Sequence, residues 1–281
     1  MTGAAAQLEQ DARMTAQRSE AKYLVSAEQA KTIVREIDRQ LSPHRHVGEG
    51  ANKLPDPQHH VTTVYFDTTS RTLFRAAQSA ENHLKLRAKE YYDIHPGLTE
   101  TATDPRQIVR YSPTLWLELK SRDGVFSGKK RIGLPKKDVP AFFARGDITA
   151  EMIAIQEASY GADARRMLEA VAALCASCGE PLHADCLVNY RRMAWQDSKG
   201  EVRITLDRDL AFFAPPPDLW TRDWALLRST LGRAVAKEAR RVLEVKLQGE
   251  PPQWLGDLLR TLSLELAPFS KFEAASSAVH G

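Results

Sequence analysis

Strand-length segments in which apolar and charged residues alternate recur along this chain, and they constrain its fold more than any other feature. Leu115, Leu117 and Leu119 alternate with Trp116, Glu118 and Lys120, the period of a β-strand. Asp123-Gly124 is a turn signal, and Lys129 and Arg131 share a face of the return strand. Leu84 to Lys89 sets three cations between apolar residues. In 240–247, Arg240, Val242, Glu244 and Lys246 share one face, and Arg241, Leu243, Val245 and Leu247 the other. Arg203, Thr205 and Asp207 share a face of Val202 to Asp207, and Tyr190 and Arg192 share one further back. One such strand alone is a half-solvated strand. Several antiparallel ones form either an open sheet with its charges in water, or a closed barrel with its charges turned inward around a wet polyanion site and helices outside. Periodicity does not separate the two.

The net charge of the 281 residues is only +3, so a polyanion site must come from local sorting of charge. At 43% hydrophobic and 27% charged, the composition is that of a globular domain. No apolar run approaches the ~20 residues of a membrane span, and the N-terminal stretch lacks the apolar core of a signal peptide. Three cysteines are too few for a disulfide framework and fit a reducing compartment, so a cytoplasmic location is expected.

Residues 1–18 are rich in Ala, Gln and charge without a core pattern, and are expected to be a disordered tail. Residues 19–281 are expected to form a single domain. Glu20 to Val25 reads as a strand with Glu20 and Lys22 on one face. Ser26 caps a predicted helix through Leu41, with Ile33, Val34, Ile37 and Leu41 as its stripe. A loop over 42–58, a strand over His60 to Asp67, a short helix around Ser70 to Gln78 and a strand around Lys85 follow. Residues 93–112 read as a long loop, and 136–178 as mostly helical with breaks near Gly146 and Gly161. Leu182 to Trp195 and Glu201 to Leu206 read as a second hairpin, Leu210 to Phe213 as a further short strand, and Arg241 to Leu247 as the last. Pro251-Pro252 opens a helix through Leu262, and Pro268 to Phe272 leads into a short terminal segment.

Nine motifs stand in order: Glu20-x-Lys22-Tyr23, Tyr65-Phe66-Asp67-Thr68, Lys85-x-Arg87, Leu117-Glu118-Leu119-Lys120, Lys129-Lys130-Arg131, Tyr190-x-Arg192, Arg203-Ile204-Thr205-Leu206-Asp207, Leu243-Glu244-Val245-Lys246 and Phe269-Ser270-Lys271-Phe272. Together they resemble the VTC domain, the catalytic domain of polyphosphate polymerases, within the triphosphate tunnel (CYTH-like) superfamily. The resemblance covers about residues 19 to 275. It implies an α+β fold, a closed antiparallel β-barrel tunnel of about eight strands with helices packed around the outside. It also implies that Lys22, Lys85, Arg87, Lys120, Lys129, Arg131, Arg192, Arg203 and Lys271 line the tunnel and hold phosphates, with Tyr190 and Ser270 as hydrogen-bond donors and Lys246 beside them. Arg192, Lys120 and Arg87 are the implied catalytic cations, and Glu244 the implied metal ligand. One departure is Lys85, at a position usually Arg in the family; it keeps the charge and loses the bidentate fork.

The implied activity is polyphosphate synthesis, in which the terminal phosphoryl group of ATP passes to a growing inorganic polyphosphate chain with Mn²⁺ or Mg²⁺ as cofactor. Such transfer asks for positioning and charge stabilisation rather than a protein nucleophile. Fixed Arg and Lys groups along a line neutralise a polyphosphate, and a divalent metal suits a carboxylate–phosphate site. Two alternatives stay open: a triphosphatase of the same superfamily, and a non-catalytic polyphosphate or inositol-phosphate binding module. Arg18 stands where the hydrolases carry a first-strand glutamate, which counts against the first. Nucleic acid is not an expected partner, since no reader helix or aromatic platform stands out. Any export of product needs a membrane partner protein. Glu20 and Glu118 are expected to pair with neighbouring cations. Cys175, Cys178, His183 and Cys186 follow a zinc-knuckle order with a short last spacing, while Cys175 and Cys178 also continue a helical stripe from Met167, Leu168 and Val171.

Overall fold

The structure, a computed structural model, describes residues 18–44, 58–79, 83–92, 114–123, 126–135, 149–220 and 226–281. The elements are β1 (Arg18–Val25), α1 (Ala27–Gln40), β2 (Ser42–Pro43), β3 (Gln58–Asp67), α2 (Thr72–Ser79), β4 (His83–Tyr92), β5 (Thr114–Asp123), β6 (Phe126–Pro135), α3 (Ala150–Tyr160), α4 (Ala162–Cys178), β7 (His183–Gln196), β8 (Val202–Phe213), a 3-10 turn (Arg228–Thr230), β9 (Ala236–Glu238), β10 (Arg241–Gln248), α5 (Gln253–Thr261) and α6 (Lys271–His280). This is a mixed α+β fold with antiparallel ladders, as expected. Residues 1–17 of the predicted tail, the loop over 93–112 and the break near Gly146 lie outside the described residues, while Arg18 opens β1. Among those described, no helix is long and apolar enough to cross a membrane.

The chain divides into two compact units, each assembled from discontinuous segments. The first is built from Met1–His59, Arg191–Leu210 and Glu238–Phe269. Its strands run in the order β1-β10-β8-β7, with β2 also on β7. Side-chain alternation gives this sheet two unlike faces. Tyr23, Val25, Met193, Trp195, Ile204, Leu206, Leu243 and Val245 turn to one core with Ile33 and Ile37 of α1 and Leu255 of α5. Ile33 and Ile37 are fully buried, worth about 1.5–3 kcal/mol each. Helix α1 starts where the sequence places it. The Ser26 hydroxyl accepts from the Gln29 amide, and the Gln29 side chain accepts from the Ser26 amide, a capping box. Trp195 donates its indole N–H to Asp38 at 2.7 Å, which satisfies the one polar atom of the buried ring. The opposite face carries Glu20, Lys22, Arg203, Thr205, Asp207, Glu244 and Lys246.

The second unit is built from His60–Tyr190, Ala211–Lys237 and Ser270–Gly281. Its order is β7-β3-β4-β5-β6. Leu86, Ala88, Leu115, Leu117, Leu119, Ile132 and Leu134 are buried on one parity. The β5–β6 ladder runs to the pair Asp123 and Phe126. Helix α4 packs against β6 and buries Met167, Leu168 and Val171. The buried Asp67 carboxylate starts α2 by accepting from the amides of Thr68, Leu73 and Phe74 at 2.7–2.8 Å. The terminal segment is a full helix, α6. Its Phe272 stacks on Tyr65 at 5.1 Å and meets Phe74 edge-on, while Arg71 donates to Ser276 and His280 pairs with Asp185 at 2.8 Å.

Leu210 to Phe213 is not a separate strand. It continues β8 through Asp209, which takes a left-handed conformation (φ 57°), one that short acidic side chains tolerate. Among the described residues no ladder joins β6 to β1, so the hydrogen-bonded order has two ends.

Candidate functional site

In the first unit, register places charge opposite charge. Glu20 pairs with Lys246 and Lys22 with Glu244 across β1 and β10. Arg203 then stands opposite Lys246, and Thr205 opposite Glu244, on β8. Lys246 Nζ lies 2.9 Å from Glu244 and 3.2 Å from Glu20, and Lys22 Nζ lies 3.2 Å from Glu20. Burial alone would depress the Lys246 pKa; Glu244 and Glu20 overcome it and hold the ammonium above its ordinary range. The expected pairing of Glu20 with cations is present.

Arg192 meets Asp207 through two contacts, Nε at 2.6 Å and Nη2 at 2.7 Å. The Asp207 side chain is fully buried. This fork fixes the guanidinium plane. Arg240 does not join the row. Strand β10 begins one residue later, and Arg240 folds onto Glu238 with its own amide and its guanidinium.

The second unit holds Lys85, Arg87, Lys120, Lys129, Arg131, Tyr190, Ser270 and Lys271. Lys85 stands opposite Lys120, and Lys120 opposite Lys129, across β4, β5 and β6. Like charges directly opposite one another destabilise a sheet. The next row reads Arg87, Glu118, Arg131. Glu118 is 1% exposed and bonds Arg87 at 2.7 Å with Lys89 at 3.5 Å. Burial pushes its carboxyl up, but Lys89, Arg87 and Lys129 pull it well below the ordinary carboxylate range. Glu118 thus pairs as expected. It anchors two cations on a face that also carries three lysines in line.

Lys85 Nζ donates to Ser270 Oγ at 3.0 Å and to Glu273 at 2.9 Å. Ser270 caps α6, and Lys271 lies over the Tyr190 ring at 5.0 Å. Arg131 lies over the Trp116 ring at 4.7 Å. Tyr65 stands opposite Arg87; burial raises its pKa despite the nearby guanidinium.

The sequence reading assigned no site role to Asp207, Glu273, Tyr65 or Lys89. Strand parity marks Lys89 and Asp207, because they share faces with Lys85 and Arg203. Nothing local marks Glu273, since its partner Lys85 is 188 residues away.

Glu20 and Glu244 are the residues of the first unit that could hold a divalent metal. Glu20 and Glu244 already converge on one compact cation, the Lys246 ammonium. Mg²⁺ is commonly held by one or two carboxylates together with substrate phosphates. Among the described residues no three His, Cys, Asp or Glu side chains converge to hold a metal by themselves. That also bears on the zinc-knuckle order: Cys175 and Cys178 lie on α4, His183 and Cys186 on β7, and the cysteines are free. Burial raises the Cys186 and Cys178 thiols, which suits packing rather than ligation.

The family model of the VTC domain matches residues 17–280. The chain belongs to the VTC domain family. This is the family the nine ordered motifs resemble, and the match spans both units. Among solved structures, the chain is similar to the Bacillus halodurans protein bh2851, provisionally described as an adenylate cyclase, at 16% identity and a TM-score of 0.43, covering 90% of this chain and 95% of that one. It is also similar to the PH1819 protein of Pyrococcus horikoshii, at 11% identity and a TM-score of 0.41, covering 92% and 97%. No curated protein matches the sequence.

Proposed function

We propose that this VTC domain is a polyphosphate polymerase that transfers the terminal phosphoryl group of ATP to inorganic polyphosphate held along its basic strand faces. The observation that carries this is the row Lys85–Lys120–Lys129 beside Arg87 and Arg131. Three lysines one strand apart, about 4.8 Å, form a line of charge that suits a linear polyanion. Lysines directly opposite one another repel, even with Glu273 on Lys85, and phosphates lying along the row would offset that repulsion. In the second unit Arg87 and Lys120 neutralise charge on the transferring group; in the first unit Arg192, Lys22 and Arg203 are phosphate contacts of their own face. Tyr190, Ser270 and Lys271 hold the chain by hydrogen bonds and charge.

Glu244 is the ligand for Mn²⁺ or Mg²⁺. A metal held there would supply positive charge against the charge that develops on the transferring phosphate. The protein's part is positional: Glu244 is held on a rigid strand between Lys22 and Thr205.

The test is incubation of the pure protein with ATP and Mn²⁺, read by a gel for polyphosphate and an assay for free phosphate. Polymer is the expected product. Phosphate without polymer makes the protein a triphosphatase, and neither product makes it a binding module. For Glu244→Gln, turnover falls by orders of magnitude while metal-free tripolyphosphate binding is kept or tightened. A Glu244→Gln protein with the parent's Mn²⁺ titration curve removes the metal role.

A further inference from the structure

Four charged side chains on one sheet face of the first unit form an alternating square. Glu20 and Lys22 on β1 stand opposite Lys246 and Glu244 on β10. Both carboxylates reach a single atom, Lys246 Nζ, at 3.2 and 2.9 Å. Beside Glu244, directly opposite it on β8, is Thr205. Thr205 is 4% exposed, and its buried hydroxyl has no hydrogen-bond partner in the structure. A buried hydroxyl without a partner is costly. Register sets it directly beside Glu244, whose carboxylate lies 2.9 Å from Lys246.

We propose that Lys246 is the resident cation of the Glu20–Glu244 site: it holds the two carboxylates in the unloaded protein and yields them when a divalent metal binds. This rests on the metal-dependent reading above. A lysine ammonium is a compact charge on a flexible four-carbon stem, so it can leave one oxygen partner for another without moving the strand. The exchange breaks two ion-pair contacts and no covalent bond. Lys246 stands opposite Arg203, and once released from the carboxylates it is a second cation beside that arginine for a phosphate. The competition weakens metal binding in the absence of phosphate. A phosphate that gives Lys246 a new partner restores it, so the two ligands are positively coupled through this one side chain.

Binding of Mn²⁺ alone, without nucleotide or phosphate, tests this by titration calorimetry and by the electron paramagnetic resonance of free Mn²⁺. Lys246→Met is expected to bind Mn²⁺ about tenfold more tightly than the parent, the scale of one charge-assisted contact. Lys246→Arg, whose fork grips two carboxylates better, is expected to bind it more weakly. Lys31→Met, which removes a remote exposed charge, is expected to match the parent. Melting curves establish that each variant folds. If Lys246→Met does not fold, Lys246→Gln takes its place, and if neither folds, the Arg variant decides. Mn²⁺ binding by Lys246→Met or Lys246→Gln no tighter than the parent's overturns the proposal, as does undiminished binding by Lys246→Arg. Glu244→Gln separates the two ideas. If it loses Mn²⁺ while Lys246→Met gains nothing, the metal site stands and only the exchange fails. If it keeps Mn²⁺, the metal site itself is wrong.

Discussion

Across β1 and β10 of the first unit each lysine of the row faces a carboxylate, whereas across β4, β5 and β6 of the second unit lysine faces lysine faces lysine. The strands are built alike, with one apolar and one charged face, yet their free states differ. The first unit's face is compensated internally, so a ligand there must displace something. The second unit's row sets lysine against lysine, with Glu273 on Lys85 at one end and Glu118 in the next row, and a polyanion that lies along it would lower that repulsion. Charge on a strand face therefore says little by itself. The register that sets each charge against its neighbours decides whether the face is a closed ion-pair lattice or a site under electrostatic strain.

The largest expected effect lies in the compensated unit. Arg192→Ala strands Asp207, whose side chain is fully buried, and breaking such a pair costs about 3–5 kcal/mol. Chemical denaturation of Arg192→Ala should show that loss, and the Arg192→Ala/Asp207→Ala pair should recover much of it. A single variant as stable as the parent would break the comparison, because it would make the Asp207 contact incidental.

Strand parity, readable because its period is 2, placed Lys22, Lys85, Arg87, Lys120, Lys129, Arg203, Glu244 and Lys246 on charged faces without any structure. The Ser26 cap and the Ile33–Ile37 stripe are local and were equally legible. Partners across the sheet were not. The family resemblance implies Arg192 as a phosphate contact, and nothing in its own strand reveals the fork onto Asp207. Lys85 reads as a phosphate ligand, and only the docking of α6 reveals Glu273 beside it. Arg240 has the right parity but sits one residue before the strand, where Glu238 bends it away. Each of these partners is a long-range or strand-end effect that periodicity does not carry.

An intermediate effect is expected at Glu118, the acid that partly compensates the second unit. Glu118→Gln should lower stability by about 1.5–3 kcal/mol, the scale of charged hydrogen bonds, and tripolyphosphate should restore part of it by supplying the missing negative charge. The pH dependence has a fixed sign. The folded carboxyl is held well below its ordinary value of 4.5, so its stabilisation is present above that pH and is lost as pH falls below it toward the depressed folded value. Thermal melts from neutral to acid pH should therefore show a shallower acid limb for Glu118→Gln. Identical acid limbs would mean that Glu118 is not held by Arg87 and Lys89.

The smallest effect on stability and the most direct test meet at Lys120, the middle lysine of the row. The measurement is calorimetric titration of tripolyphosphate into the parent and into Lys120→Met, with melting curves of both unliganded proteins. The expected result is a folded variant whose melting temperature stays close to the parent's. Its tripolyphosphate affinity is expected to be weaker by about 1.5–3 kcal/mol, one charge-assisted phosphate contact. Parent-like affinity in a folded Lys120→Met protein would contradict the claim that the lysines of β4, β5 and β6 form a phosphate-chain site.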